Sequence, residues 1–451
     1  KETVASALQL VNPKITIANY DPLTKPFVYG DDVDKQLDYL KETMKASGKT
    51  LIDDVQKVVQ KRADTTQTGI DDPFQLIKRV IVFGDSLSDG GTYTAWASYA
   101  ASGQARFTDP TKPLDSLKAA SAWGGKFTTN PGPVWVEKLA AGYGYDIKPA
   151  MLMGGGQPAA YLYLAPICNT CTNYAQGGSR VKDQPGIGNQ GTTVGANNFD
   201  RANPFVAAST LPVKEQIDIH LASPSGKFAA SDLVLVLAGA NDVFVQADLA
   251  GKGTIDSNTA AANTQAAALE LVAQAVRLRQ ANAVKLLIIG LPDMGNTPAG
   301  VAQGAQAAGA LTMLSVKVFN GYLSGGLAQA GIAYLDPSEF FNSLMTTPSK
   351  YGITTTIDRS NPPQTAVASM ACGVNQIAVK AGADSSTSPS SLFCSTPNSS
   401  ISNAGTLRAA KADTTFVFAD SVHPTTAAHA ALADYLAAKL PWLLAESFAK
   451  K

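Results

Sequence analysis

The run Arg79-Val80-Ile81-Val82-Phe83-Gly84-Asp85-Ser86 places a hydroxyl where it could act as a nucleophile. Val80 to Phe83 read as a strand buried on both faces, and Gly84-Asp85-Ser86 breaks it sharply. Ser86 then stands at the carboxyl end of a strand, where open α/β sheets carry their sites. A serine hydroxyl is a weak nucleophile at its own pKa, so it needs a base within hydrogen-bond reach and a group that orients the base. Three histidines make the search for that base short. His220 falls in an expected helix, and its nearest carboxylate, Asp218, is spaced so that the two side chains do not face each other. His429 lies among alanines inside the last expected helix. Both read as packing or surface residues. His423 stands just before Pro424 at the start of that helix, three residues after Asp420, in a turn able to fold the carboxylate back onto Nδ1. Nε2 is then left to take the Ser86 proton. The competing reading is an ordinary Gly-Asp-Ser turn and an ordinary Asp helix cap.

Four blocks decide between these readings. Gly84-Asp85-Ser86-Leu87-Ser88-Asp89-Gly90-Gly91, Asn173-Tyr174-Ala175-Gln176-Gly177-Gly178, Gly239-Ala240-Asn241-Asp242 and Asp420-Ser421-Val422-His423-Pro424 follow one another along the chain. In type and order they resemble the blocks of the GDSL, or SGNH, family of serine esterases and lipases. The resemblance runs from about Lys78 to the C-terminus. It differs from the Gly-x-Ser-x-Gly elbow of α/β-hydrolases, having Ser88 where the second glycine would be. It implies a Ser86-His423-Asp420 triad, and an oxyanion hole made by the Ser86 N–H, the Gly178 N–H and the Asn241 side-chain amide. Gly177 is the adjacent alternative for the loop donor. Chemistry agrees with each: Ser86 is expected at a helix N-terminus, Gly178 has no side chain in the way, and Asn241 carries an NH2 donor. Asn173, Asp85 and Asp89 read as turn-holding residues.

The elements that must position these groups alternate as strand and helix. Buried strands are expected at 80–83, 232–237 and 285–289, with a short one at 332–335. Helices are expected at 91–101, from 133 onward, at 213–221 and 259–282. A long helix at 300–330, single or broken at Gly325-Gly326, and a closing helix at 424–448 complete the set. The fold class is therefore α/β, a three-layer α/β/α arrangement around a mostly parallel, flavodoxin-like five-stranded sheet. Residues 76–451 form the hydrolase domain, with insertions at about 102–132, 144–172, 186–204 and 346–413. These are expected to roof the cleft above Ser86, the last as a lid-like excursion. Residues 1–75 read as a helical extension and linker. Leu37, Leu40 and Met44, then Leu51, Val55, Val58 and Val59, fall at helical spacing there.

Composition bounds the partners. Of 451 residues, 45% are apolar, and Lys plus Arg balance Asp plus Glu at 36 each, so no net basic charge is available to hold nucleic acid. No apolar run approaches the ~18 residues of a membrane span. A monomer is expected, and the start at Lys1 suits a secreted or periplasmic chain whose signal peptide has been removed. The cysteines, Cys168, Cys171, Cys372 and Cys394, lack the two close pairs of a zinc site. Two disulfides, Cys168 with Cys171 and Cys372 with Cys394, are the reading favoured for an exported protein, with crossed pairing or free thiols as alternatives. The wider bridge would contribute roughly 3 kcal/mol.

The expected chemistry is acyl transfer from a carboxylic ester to water through an acyl-enzyme, without metal or organic cofactor. Three alternatives remain at this level: an acetyl esterase acting on carbohydrate, an acyltransferase using an alcohol acceptor, and a binding protein on a hydrolase scaffold.

Overall fold

The computed structural model describes residues 77–449, apart from 105, 107–108, 110–111, 155–160, 164–167, 169, 189–209, 224–225 and 361–363. The expected helices within 1–75, and most of the 186–204 insertion, lie outside the described residues.

The framework is a parallel sheet of four strands in the order β1-β4-β5-β6. These are β1 (Arg79–Gly84), β4 (Asp232–Leu237), β5 (Lys285–Ile289) and β6 (Ala333–Leu335). Between β1 and β4 in sequence, β2 (Leu152–Gly154) and β3 (Tyr161–Tyr163) form a separate antiparallel pair. The fifth strand of the expected sheet is not a regular strand. Its place on the free edge of β1 is taken by an extended segment around Asn173, joined to β1 by a single parallel bridge. Val82 N–H donates to Thr172 O at 3.0 Å, and Tyr174 N–H to Val82 O at 2.8 Å. The spatial order is that of a flavodoxin-like sheet, but the ladder on this edge is too short to count as a strand.

Beyond the charged residue that opens each, Arg79, Asp232 and Lys285, the strands β1, β4 and β5 are runs without a polar side chain because both of their faces are covered. Val80, Val82, Leu233, Leu235, Leu287 and Ile289 point to one core, and Ile81, Phe83, Val234, Val236, Leu286 and Ile288 to the other. The first core is closed by helices at Trp135–Gly142, Ser338–Thr346 and Thr426–Ala449. The second is closed by Val213–Ala222, Ser257–Gln280 and Asn320–Gln329. The result is the three-layer α/β/α arrangement. Among the described residues no helix is long and apolar enough to cross a membrane.

Two helical expectations need correction. The 300–330 segment is interrupted, but not at Gly325-Gly326. It comprises Pro298–Ala302 and Ala305–Thr312, then a π-helical stretch at Met313–Phe319 that runs into Asn320–Gln329. Gly326 sits inside continuous helix, where a Cβ would lie 2.7 Å from the Val272 side chain, so it serves helix packing instead of a break. The helix after the serine begins at Thr94, not Gly91.

Both disulfides are formed, Cys168 with Cys171 and Cys372 with Cys394. The 346–413 insertion is built from short helical turns and isolated bridges, with Cys372 and Cys394 fully buried against Ala419.

Candidate active site

The last residue of β1 is held from two sides. A Cβ on Gly84 would lie 2.3 Å from Leu237 O of β4, a contact only glycine permits. Gln216 reaches across from its helix to the same residue: its Oε1 accepts from Gly84 N–H at 2.9 Å and its Nε2 donates to Gly84 O at 2.8 Å. The chain then turns. Leu87 N–H donates to Asp85 Oδ1 and Ser88 N–H to Asp85 O, both at 3.1 Å. Ser86 thus sits in a tight turn at the end of β1, not at a helix N-terminus as its sequence context suggested. Asp85 is fully buried, and burial pushes its carboxyl up to about 7.

The turn is fastened to the neighbouring edge segment by short polar side chains. Asp89 Oδ1 accepts from Gly91 and Thr92 N–H, and its Oδ2 accepts from Gly177 N–H at 2.9 Å. Asn173 donates from Nδ2 to Ser88 O at 2.8 Å and accepts from Ala175 N–H at 3.1 Å. These bonds bear on the choice of loop donor. The Gly177 N–H is committed to Asp89, whereas among the described residues the N–H groups of Gly178 and Ser86 meet no acceptor. Gly178 has a φ of +80°, and a Cβ there would lie 2.0 Å from Ile187 O, so the position demands glycine.

Asn241 is the second residue of the helix Ala240–Gly251, which follows β4. One hydrogen of its amide is donated to Ser179 O at 2.8 Å, which fixes the side chain and leaves the other hydrogen to the cleft. Its neighbour Asp242 completes a tie that the sequence did not reveal. Asp242 accepts from Val181 N–H at 2.9 Å and pairs with Arg180 Nε at 3.2 Å, both residues being buried. Burial pushes the Asp242 carboxyl up to about 6 despite the adjacent guanidinium. The loop that carries Gly178 and the helix that carries Asn241 are therefore locked to each other.

On the opposite wall, Asp420 to His423 form a closed turn. Asp420 Oδ1 accepts from the N–H groups of Val422 and His423, and Ala419 N–H donates to His423 O at 2.7 Å. The His423 Nδ1 lies 2.9 and 2.8 Å from the two Asp420 oxygens. Ser391 N–H, from the 346–413 insertion, donates to Asp420 Oδ2 at 2.7 Å. Burial works against ionising this carboxyl, but His423 and the surrounding hydrogen bonds outweigh it and hold Asp420 well below the usual carboxylate range. Phe127 lies over the imidazole, ring centroids 4.9 Å apart.

The other histidines are packing residues. His220 is buried among Phe83, Tyr174 and Phe228, and burial lowers it to about 4. His429 is buried where its Nδ1 accepts from Trp135 N–H at 3.3 Å, and burial lowers it to about 3.

Ser86, Gly178, Asn241 and His423 all line one cleft of about 800 Å³. Much of its wall is apolar, including Trp96, Phe244, Met294, Val316, Phe341 and Met345. Three insertions contribute to it: Phe127 from 102–132, Ile187 and Gly188 from 186–204, and Leu392 from 346–413. Among the described residues, the 144–172 insertion adds nothing to that wall. Nor, among them, does any group of three or more His, Cys, Asp or Glu have the arrangement to hold a metal ion.

A doubly wound α/β/α fold with a Gly-Asp-Ser-Leu turn at the end of its first strand defines a class of ester hydrolases. The sequence model of the GDSL-like Lipase/Acylhydrolase family matches residues 80–436, and the chain belongs to that family. No curated protein matches it.

Proposed function

We propose that the protein is a serine esterase or lipase that hydrolyses carboxylic esters with aliphatic acyl chains. The observation that carries this reading is the convergence of Ser86, the Asp420-bound imidazole of His423 and three uncommitted donors on one apolar cleft. Ser86 Oγ attacks the ester carbonyl carbon while His423 accepts its proton. The charge that develops on the carbonyl oxygen falls to the Ser86 and Gly178 N–H groups and the free Asn241 amide hydrogen. Collapse expels the alcohol, which takes the proton from His423 and leaves an acyl-enzyme. Water, deprotonated by the same histidine, releases the carboxylic acid and restores Ser86. Asp420 stays ionised throughout, as its depressed pKa favours, and keeps the imidazole in the tautomer with Nδ1 protonated.

The apolar wall favours an aliphatic acyl group over an acetylated sugar, whose hydroxyls would find few partners there. The two disulfides fit a protein that works outside the reducing cytosol. The test is hydrolysis of p-nitrophenyl esters from acetyl to palmitoyl by the intact protein and by Ser86→Ala. The expected outcome is an optimum beyond acetyl and a loss of at least about 10⁴-fold in kcat on substitution. An optimum at acetyl would move the assignment to a short-chain esterase, and an unchanged rate in Ser86→Ala would remove Ser86 from the mechanism.

A further inference from the structure

The two oxygens of Asp420 are held differently. Oδ1 is satisfied within its own turn by Val422 and His423, but apart from the imidazole Oδ2 depends on the N–H of Ser391, from a segment 29 residues away. That segment is itself fastened at several points. Asn130, fully buried, donates from Nδ2 to Ser391 O at 3.1 Å and to Cys394 O at 2.9 Å. Asn375 donates to Phe393 O at 3.2 Å, and Gly125 N–H to Leu392 O at 2.9 Å. The disulfide closes the arrangement. Cys394 lies just after the Ser391–Phe393 turn, and Cys372 runs beside the backbone of Asp420, its N–H donating to Ala419 O at 2.9 Å. The bridge thus joins the chain flanking the main chain of Asp420 to the chain that bonds its carboxylate.

We propose that Ser391 is a positioning residue of the site: its main-chain N–H, held by the Cys372–Cys394 staple and Asn130, fixes the Asp420 carboxylate against the His423 imidazole. The insertion is then a working part of the acid–base pair as well as a wall of the cleft. This inference rests on the reading of Asp420 and His423 as that pair. The other titratable groups around them are Asp85 near His423, Asp384 in the same insertion, and His429 with its neighbour Lys126. Substitution at Ser391 leaves all of them in place.

A main-chain donor is removed by proline. Ser390 has φ −96° and ψ 136°, the extended conformation that a residue before proline prefers, and the first helical position tolerates proline. Ser391→Ala removes the buried hydroxyl, which itself helps to hold the Asp420 carboxyl down, and so serves as the reference that isolates the main-chain N–H. The rate is read per active site, titrated with a fluorophosphonate, so misfolded protein does not count. Ser391→Pro is expected about 10- to 100-fold below Ser391→Ala in kcat with little change in KM, because the ring removes the donor and its Cδ displaces Asp420 Oδ2 from where the N–H held it at 2.7 Å. The acid limb of its kcat/KM profile is expected to move to higher pH. Carboxylate charge no longer shared with the N–H falls more fully on the imidazolium and stabilises it. Parental kcat in Ser391→Pro, or a limb that stays in place or moves down, overturns the inference.

If Ser391→Pro yields no titratable sites, the Cys372→Ala/Cys394→Ala double variant carries the test. It keeps the N–H but frees its segment, and is expected to lower kcat and raise the acid limb; parental values for both overturn the inference. Loss of activity in Ser86→Ala together with parental behaviour here would sink this inference alone. Full activity in Ser86→Ala would sink the hydrolase reading beneath it.

Discussion

The two walls of the cleft are built by different means. The wall that carries Ser86, Gly178 and Asn241 grows from the carboxyl ends of β1, the edge segment beside it and β4, and its loops are tied to each other by Asp89, Asn173, Gln216 and the Arg180–Asp242 pair. Among the described residues, the wall that carries Asp420 and His423 rests on no regular strand. It is a loop of four residues before the last helix, held by its own turn, by Ala299 N–H donating to Ser421 O at 2.8 Å, and by the chain from two insertions, Phe127 on one side and Ser391 on the other. The proposed nucleophile and oxyanion donors are thus set by the sheet and its edge segment. The proposed base is set largely by the embellishments around it.

The largest effect that would break this contrast is at Asn130, which joins the two insertions behind the base. Its Nδ2 serves the carbonyls of Lys126, Thr128, Ser391 and Cys394, and its Oδ1 accepts from Lys126 N–H. Asn130→Ala is expected to cost about 3–4 kcal/mol in stability, because several buried carbonyls lose their donor. On limited proteolysis the variant is expected to be cut first within 385–405, with the sheet still folded. Simultaneous loss of both walls would show that the embellishments are not separable from the sheet.

On the other wall, Asn241→Ala is expected to lower kcat by about 10²- to 10³-fold if the side chain has its proposed role of donating to developing charge, with about 1 kcal/mol of stability lost with its bond to Ser179 O. A comparable loss appearing in KM alone would assign Asn241 to ground-state binding.

The smallest effect concerns Asp85, buried beside Ser86. A carboxyl whose folded pKa is raised to about 7 holds its proton more tightly when folded than when unfolded. Its contribution is fully favourable below the unfolded value and is lost as pH rises through about 7, where the buried group must ionise. Asp85→Asn is therefore expected to raise Tm at pH 8 relative to the parent, with the advantage disappearing near pH 4. A gain of equal size at both pH values would show that the ionised carboxyl is not the burden.

The same contrast explains what could be read from the chain. The 80–83 and 232–237 strands announce themselves as apolar runs, and Gly-Asp-Ser and Asp-x-x-His are local patterns whose geometry is closed by neighbours in sequence. The flavodoxin-like order was legible, but its fifth strand shrank to an edge segment because the chain there bends to carry Gly177 and Gly178. Gln216, Arg180, Asn130 and Ser391 were not legible, since each acts on a partner far away in sequence through a loop whose path no periodicity encodes. A polar Gln in an otherwise packed helix and an Arg two residues after a glycine pair were faint signals. Ser391 gives none, because its contribution is main-chain. The Gly325-Gly326 pair misled because glycine serves equally for breaking a helix and for letting another come close.

Labelling with a fluorophosphonate asks whether Ser86 is a nucleophile activated by His423. The expected result is one label per chain, located at Ser86 by peptide mass mapping, with labelling slowed by orders of magnitude in His423→Ala. Labelling at another residue would remove Ser86 as the nucleophile, and labelling of Ser86 at the same rate without His423 would remove His423 as its base.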